Sequence, residues 1–466
     1  MMLDYNKARF KLASLALLTL AACSTLPPEA SKPALELPTV TTAKSEDLNQ
    51  WWQRYQDPAL NALIEQSLQY NADIKAAVAR VDEAAALLSS ARSNLTPTAD
   101  LSISANRSQA SEKGAVARPV GTYLSNTFST GVNLSYEVDL WGRVRANNSA
   151  ALGQLISNRE ALNALRSSLA AQVARAYFSL LATDRKLALT QQTLRTREEA
   201  LALTQKRLDG GTANSLQLQQ AQSERDAVAA NLPNLIAAQA QSERALQVLA
   251  GASPRAIIEA PVKRSQASSL PDAPAVPAGL SSDLLTRRPD IRQAEADLAT
   301  AQAKVSEARA RYYPQLVLTG NVGQESAKLS DLFSGPALIW AVGAALTQPI
   351  FGLRDIDAQV DAAKARGVQS EANYVKTVQT AFKEVYDALG TMRAASDTLV
   401  LQQQRSKALS ESLRIAQRRY DAGVSQYLDV LDAQRSLYAV DSDRIDAQAN
   451  RLNASVDLFR ALGGGW

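Results

Sequence analysis

The sequence predicts a mainly α, internally duplicated chain, with a pair of strands and a long helical hairpin in each copy. Three observations carry this reading: a long self-similarity, two proline-poor helical stretches of unusual length, and segments between them where the hydrophobic period falls to two. Ser67–Ser108 aligns with Leu284–Glu325 without a gap, placing Asp73-Ile74 on Asp290-Ile291, Arg92 on Arg309, Pro97 on Pro314 and Leu101 on Leu318. Further on, Arg207-Leu208-Asp209-Gly210-Gly211-Thr212 meets Arg419-Tyr420-Asp421-Ala422-Gly423-Val424, and Ala221-Gln222 meets Ala433-Gln434. A solenoid repeat spans roughly 20–50 residues. Here each copy is about half the chain, so one architectural unit is used twice about a pseudo-symmetry axis.

The helices come first in the argument. From Arg143 to Leu208 there is no Pro and one Gly, Gly153; at 1.5 Å per residue this predicts a helix of roughly 100 Å. Leu180, Leu187, Leu194, Leu201 and Leu208 recur every seven residues, and Met392, Leu399, Leu413 and Tyr420 hold the matching stripe in the second copy, interrupted at Ser406. Such a stripe keeps facing one partner when helices supercoil. Gly211 and Gly423 suit left-handed cap residues that end the long helices. Return helices resume near Ser215 and Ser425. Pro233 should interrupt the first, since it removes a backbone donor; the second runs unbroken to about Leu462. Shorter helices, Ala72–Ser93 and Asp290–Tyr312, precede the hairpins.

Between short and long helices, Phe128, Thr130, Val132, Leu134, Tyr136, Val138 and Leu140 alternate with Ser129, Gly131, Asn133, Ser135, Glu137 and Asp139. Leu101, Ile103 and Ala105 alternate with Ser102, Ser104 and Asn106; Leu316, Leu318 and Val322 share a face, as do Trp340, Val342, Ala344 and Leu346. Alternation over such lengths fits a membrane barrel with lipid outside and water inside, and equally a soluble hairpin packed on a helix.

The N-terminus bears on that choice. Lys7, Arg9 and Lys11 precede the apolar run Leu12–Ala22, a signal peptide too short to span a membrane as a helix. It ends Leu20-Ala21-Ala22-Cys23, which resembles the lipobox of bacterial lipoproteins, and Cys23 is the only cysteine in the chain. Ser24 in place of Asp favours outer-membrane sorting. Pro27, Pro28, Pro33 and Pro38 mark an extended tether. Four strands cannot close a barrel, since the smallest have about eight, and open edges leave unsatisfied backbone in lipid. Membrane-crossing strands here therefore require several chains in one barrel.

Composition narrows the function. Among 466 residues there is no His, which removes the commonest general base and metal ligand. No phosphate-binding loop, dinucleotide fingerprint or metal-ligand motif is present. A net charge of +4 without a dense basic stripe argues against nucleic acid. The expected organisation is a signal peptide at 1–22, a lipidated tether at 23–50, a first repeat at 51–260, a linker at 261–282 and a second repeat at 283–466. Strands are expected at about 98–108, 127–140, 315–324 and 338–350, and helical hairpins at about 143–250 and 353–463.

Trp51-Trp52 with Asp57-Pro58, Ser135–Arg143, Arg287-Arg288-Pro289-Asp290-Ile291, Gln348-Pro349-Ile350-Phe351, Gly423–Arg435 and the terminal Ala461–Trp466 carry a resemblance over nearly the whole mature chain. In this order they resemble the TolC-like outer membrane efflux proteins, in particular the lipoprotein branch typified by OprM and NodT. The resemblance implies a homotrimer in the bacterial outer membrane, lipid-anchored at Cys23 and extending into the periplasm. A 12-stranded β-barrel would sit on a 12-helix α-barrel tunnel. It implies a passive exit duct rather than an enzyme: no cofactor beyond the covalent lipid, no catalytic residues and no metal, with a periplasmic adaptor and an inner-membrane transporter as partners. Ala252–Leu280 would join Glu46–Glu65 and the C-terminus in an equatorial belt. By the same resemblance Arg419, Leu428 and Asp432 hold a periplasmic gate. Leu428 would form an apolar constriction and Asp432 a self-repelling carboxylate ring, with Arg419 as the compensating cation, within the chain or across an interface. The matching first-copy positions are Arg207, Leu216 and Gln220. Adaptor hairpins would engage Gly211, Thr212, Leu216, Gly423, Val424 and Ser425. A periplasmic coiled-coil scaffold would explain the helices and the anchor, but not four amphipathic strands at matched places.

Overall fold

The computed structural model describes residues 33, 49–111, 113, 123–265, 270–275 and 287–464. The signal peptide, Cys23, nearly all of the tether and much of the 261–282 linker lie outside the described residues. A 3-10 turn, Trp51–Tyr55, is followed by helices α1 (Pro58–Tyr70) and α2 (Ala72–Ser93), strands β1 (Thr98–Gln109) and β2 (Leu124–Val138), and helices α3 (Arg143–Asp209), α4 (Ser215–Ala229), α5 (Asn231–Leu249) and α6 (Pro254–Glu259). The second copy supplies α7 (Pro289–Ala310), β3 (Gln315–Ser326), β4 (Leu338–Thr347), α8 (Leu353–Asp421) and α9 (Tyr427–Ala461).

Polar side chains start these helices by satisfying free backbone N–H groups. Asp57 Oδ1 accepts from Ala59 and Leu60, with Pro58 at the first helical position. Asn71 caps α2 through Asp73 and Ile74. Asp139 accepts from Val144 and Arg145 and so ends β2 before Leu140. The first return helix breaks after Ala229, and Pro233 sits in the first turn of the next helix, where its missing donor costs little. β2 begins at Leu124, earlier than expected, because Leu124–Asn126 pair with Arg107–Gln109. β4 stops at Thr347, short of the expected 350, ahead of Pro349, which cannot donate to a ladder.

The chain forms two compact units, and each draws on both sequence copies. One unit contains Val81–Asn158 and Ala294–Val375; the other contains Glu36–Arg80, Arg159–Gln293 and Lys376–Trp466.

In the first unit the four strands form one antiparallel sheet in the order β1-β2-β3-β4. The duplication also shows in its helices. Ala84 and Leu88 of α2 pack on Leu155 of α3, and Ala308 of α7 packs on Ile356, Val360 and Ala363 of α8. Trp141 stacks on Tyr313 at 4.8 Å and donates to the Pro314 carbonyl at 2.8 Å. Register puts Leu101, Ile103, Val132, Leu134, Leu318, Val322, Trp340 and Val342 on one face. That face is uncovered in the single chain: Ile103 is 76% exposed and Val342 81%. Near the middle of the sheet, on its other face, a Cβ on Gly323 would lie 2.4 Å from the Thr130 carbonyl oxygen, whereas one on Gly131 would meet Val322 O at 3.0 Å. Gly323→Ala should therefore cost more than Gly131→Ala, by about 1–3 kcal/mol. Thermal melts in detergent check this, and equal melting temperatures would refute it.

The second unit is built around α3 and α9, which run antiparallel: Arg175 meets Asp457 at 2.7 Å, Lys186 meets Asp446 at 2.6 Å, and Thr190 meets Tyr438 at 2.9 Å. Its apolar heart is aromatic. Trp51 and Phe459, both fully buried, stack at 5.6 Å, and Tyr55 packs on Phe178 and shares a hydrogen bond with Ser455. Tyr177 donates to Asp57 Oδ2 at 2.7 Å and accepts from Ser265 N. The buried Arg288 donates to Asp290, Glu384 and the Ala461 carbonyl, tying α7 and α8 to the end of α9. No helix among the described residues is long and apolar enough to cross a membrane.

Candidate functional site: the helical turns

Both long helices end in the same way. Gly211 and Gly423 take positive φ, 72° and 74°. Thr212 N–H returns to the Arg207 carbonyl and Val424 N–H to the Arg419 carbonyl, at 2.7 and 3.0 Å. This six-to-one closure satisfies carbonyls that the helix leaves open. Beyond the turns, Asn214 and Gln217 form a reciprocal capping box on α4. No equivalent side-chain cap starts α9 at Gln426. The turns thus present Gly211, Thr212, Leu216, Gly423 and Val424 to solvent, with Ser425 half-buried.

The two copies differ in what the turns hold. Arg207 lies over the Tyr420 ring at 5.8 Å and donates to its hydroxyl at 3.4 Å, and Tyr420 in turn packs against Tyr427. Arg419, its counterpart, makes no ion pair among the described residues. It lines a groove of ≈ 600 Å³ with Glu411, Ser425, Asp429 and Asp432. Arg419 and Asp432 are therefore brought together, but the cation on Asp432 within the chain is Arg435, at 3.1 Å. That pair lies one helical turn along α9, where i and i+3 side chains meet, and it leaves the pairing of Arg419 across an interface as the alternative for that cation. Leu428, 42% exposed, is not among the residues lining that groove.

Arg435 also binds Glu224 of α4, at 2.5 Å. Glu224 is buried while Arg435 is half-exposed, and this charge-assisted bond raises the Arg435 pKa. Arg197 lies buried near the same carboxylate; burial lowers its pKa and Glu224 opposes the shift. Tyr427, pushed up by burial, shares a hydrogen bond with Thr204. Glu224–Arg435–Asp432 is thus a polar link from the first copy's return helix to the second's. The sequence reading missed two parts of it, Glu224 and Arg435, and also the neighbouring groove residue Asp429. The i,i+3 spacing of Asp429, Asp432 and Arg435 was the available signal.

The sequence pattern of the family described as outer membrane efflux protein matches residues 63–252 and 280–464. The chain is 34% identical over 465 residues to the probable efflux pump outer membrane protein TtgC of Pseudomonas putida, covering 96% of this chain and 93% of that one. It is 36% identical to the outer membrane protein OprJ of Pseudomonas aeruginosa, covering 97% and 95%. Its fold matches the crystal structure of the Campylobacter jejuni CmeC outer membrane channel with a TM-score of 0.85, 25% identity and coverage of 93% and 94%.

Proposed function

The chain belongs to the outer membrane efflux protein family and serves as the outer-membrane exit duct of an efflux pump, and we propose that three copies close one twelve-stranded barrel over a twelve-helix tunnel. The observation that carries the shared barrel is the four-stranded sheet: among the described residues its outermost strands, β1 and β4, each keep an unpaired edge, and one face is apolar and uncovered. Backbone edges in lipid need partners. A second and third copy supply them by pairing β4 of one chain with β1 of the next. Cys23 carries the lipid that holds the tether at the membrane.

Conduction on this reading is passive. The chain hydrolyses nothing and takes no cofactor beyond the covalent lipid. An inner-membrane transporter supplies the energy, and a periplasmic adaptor joins transporter to duct. Adaptor hairpins engage the exposed turns at Gly211, Thr212, Leu216, Gly423, Val424 and Ser425. Leu428 narrows the closed passage, and Asp432 rings it with one carboxylate per chain, partly neutralised by Arg435. Arg419, without an ion pair among the described residues, supplies a cation for a carboxylate of a neighbouring copy. Purified full-length protein in detergent should weigh three protomers by light scattering corrected for detergent. A monomer of undiminished helix content would overturn the shared barrel.

A further inference from the structure

The sheet's second face has a charge pattern of its own. Register places Thr98, Asp100, Ser102, Ser104, Asn106 and Ser108 beside Ser135, Asn133, Gly131, Ser129, Thr127 and Ser125, and β3 continues the rows with Thr319, Asn321, Gly323 and Glu325. Hydroxyls bond to one another across it: Ser104 to Ser129 at 2.7 Å, Ser108 to Ser125 at 3.0 Å, and Asn133 Nδ2 donates to Ser102 at 3.0 Å. Three carboxylates stand on this face. Glu137 is neutralised by Arg143 at 2.6 Å. Asp100 and Glu325 are exposed and have no ion-pair partner among the described residues. No Lys or Arg of the four strands shares the face; the one strand cation, Arg107, points to the apolar side with Leu101 and Ile103.

Resting on the barrel reading above, in which the polar face lines the lumen, we infer that Asp100 and Glu325 make the barrel section cation-selective, favouring cationic over anionic solutes. Each chain contributes one carboxylate at each of two levels, opposite Asn133 and Ser129 of β2. These levels lie four residues apart, about 13 Å along a strand. That exceeds the screening length of about 10 Å at 0.1 M salt, so the levels act as separate rings. Hydroxyl and amide neighbours solvate a passing ion of either sign, which leaves the fixed carboxylates to set the preference.

The test is the reversal potential of the full-length protein in planar bilayers under a KCl gradient. Wild type should prefer potassium over chloride. Asp100→Asn and Glu325→Gln should each lower that ratio about twofold at 0.1 M salt, with a smaller change at 1 M, where screening shortens to about 3 Å. Glu325→Lys should lower it further, and Ser104→Ala, on the same face, should leave it unchanged. A double Asp100→Asn/Glu325→Gln channel that conducts with the wild-type ratio overturns the inference alone. Absence of any conductance in the wild type overturns the barrel reading and this inference with it.

Discussion

Alanine at Arg435 should open the duct. The side chain bridges Glu224 and Asp432, so its loss removes the polar link between α4 and α9 and strips the buried Glu224 carboxylate of its hydrogen-bonded cation, with only Arg197 left near it. A pair with one buried and one half-exposed member is worth about 2 kcal/mol, between the values for exposed and for buried pairs. For a two-state gate, that shifts the open population roughly thirtyfold. Single-channel recordings of Arg435→Ala should show longer and more frequent open intervals, and cells carrying it should admit vancomycin-sized antibiotics. Asp432→Ala should act in the same direction but less strongly, because Glu224 keeps its cation. If Arg419→Ala opens the channel and Arg435→Ala does not, closure depends on contacts between copies instead of the link within one.

The second large effect is on stability. Phe459→Ala removes the surface on which Trp51 stacks, and both rings are fully buried. Truncating a buried aromatic costs about 3–5 kcal/mol. The variant should lose assembled oligomer at temperatures the wild type tolerates, followed by heating in detergent before electrophoresis. Leu216→Ala, at a 64% exposed side chain, should match the wild type in the same assay. Equal behaviour of Phe459→Ala and wild type would show that the N-terminal turn contributes little to the fold.

Much of the skeleton was legible in the sequence because its signals are local. Proline-free length, glycines at left-handed caps and period-two alternation each follow from backbone geometry. The packing of α3 was less legible. The leucine stripe at 187, 194, 201 and 208 is only half-buried, whereas Thr190, Arg197 and Thr204 lie on the most buried line of that stretch, also seven apart. A hydrophobic pattern cannot find a polar seam. Thr190 and Thr204 are buried because Tyr438 and Tyr427 satisfy them across α9, and such partners are chosen by tertiary contact. The same reason hid Arg435. Its role depends on Glu224, which lies 211 residues away along the chain. At the start of β2, Leu124–Asn126 read as loop because two of the three are polar, yet ladder pairing with β1 needs only their backbone.

The antiparallel seating of α3 against α9 sets an order on how the protein can be made. Tyr55 and Ser455, 400 residues apart, share a buried hydrogen bond, so the 3-10 turn Trp51–Tyr55 is finished by the last turns of α9. Neither sequence copy closes the aromatic core alone, despite their similarity in pattern. A nascent chain must hold its Trp51, Tyr55 and Phe178 surfaces open until α9 has been delivered. Contacts of such separation slow folding, since loop closure is paid before the contact returns anything. The duplication doubled a shape while leaving the chain a single, indivisible folding problem.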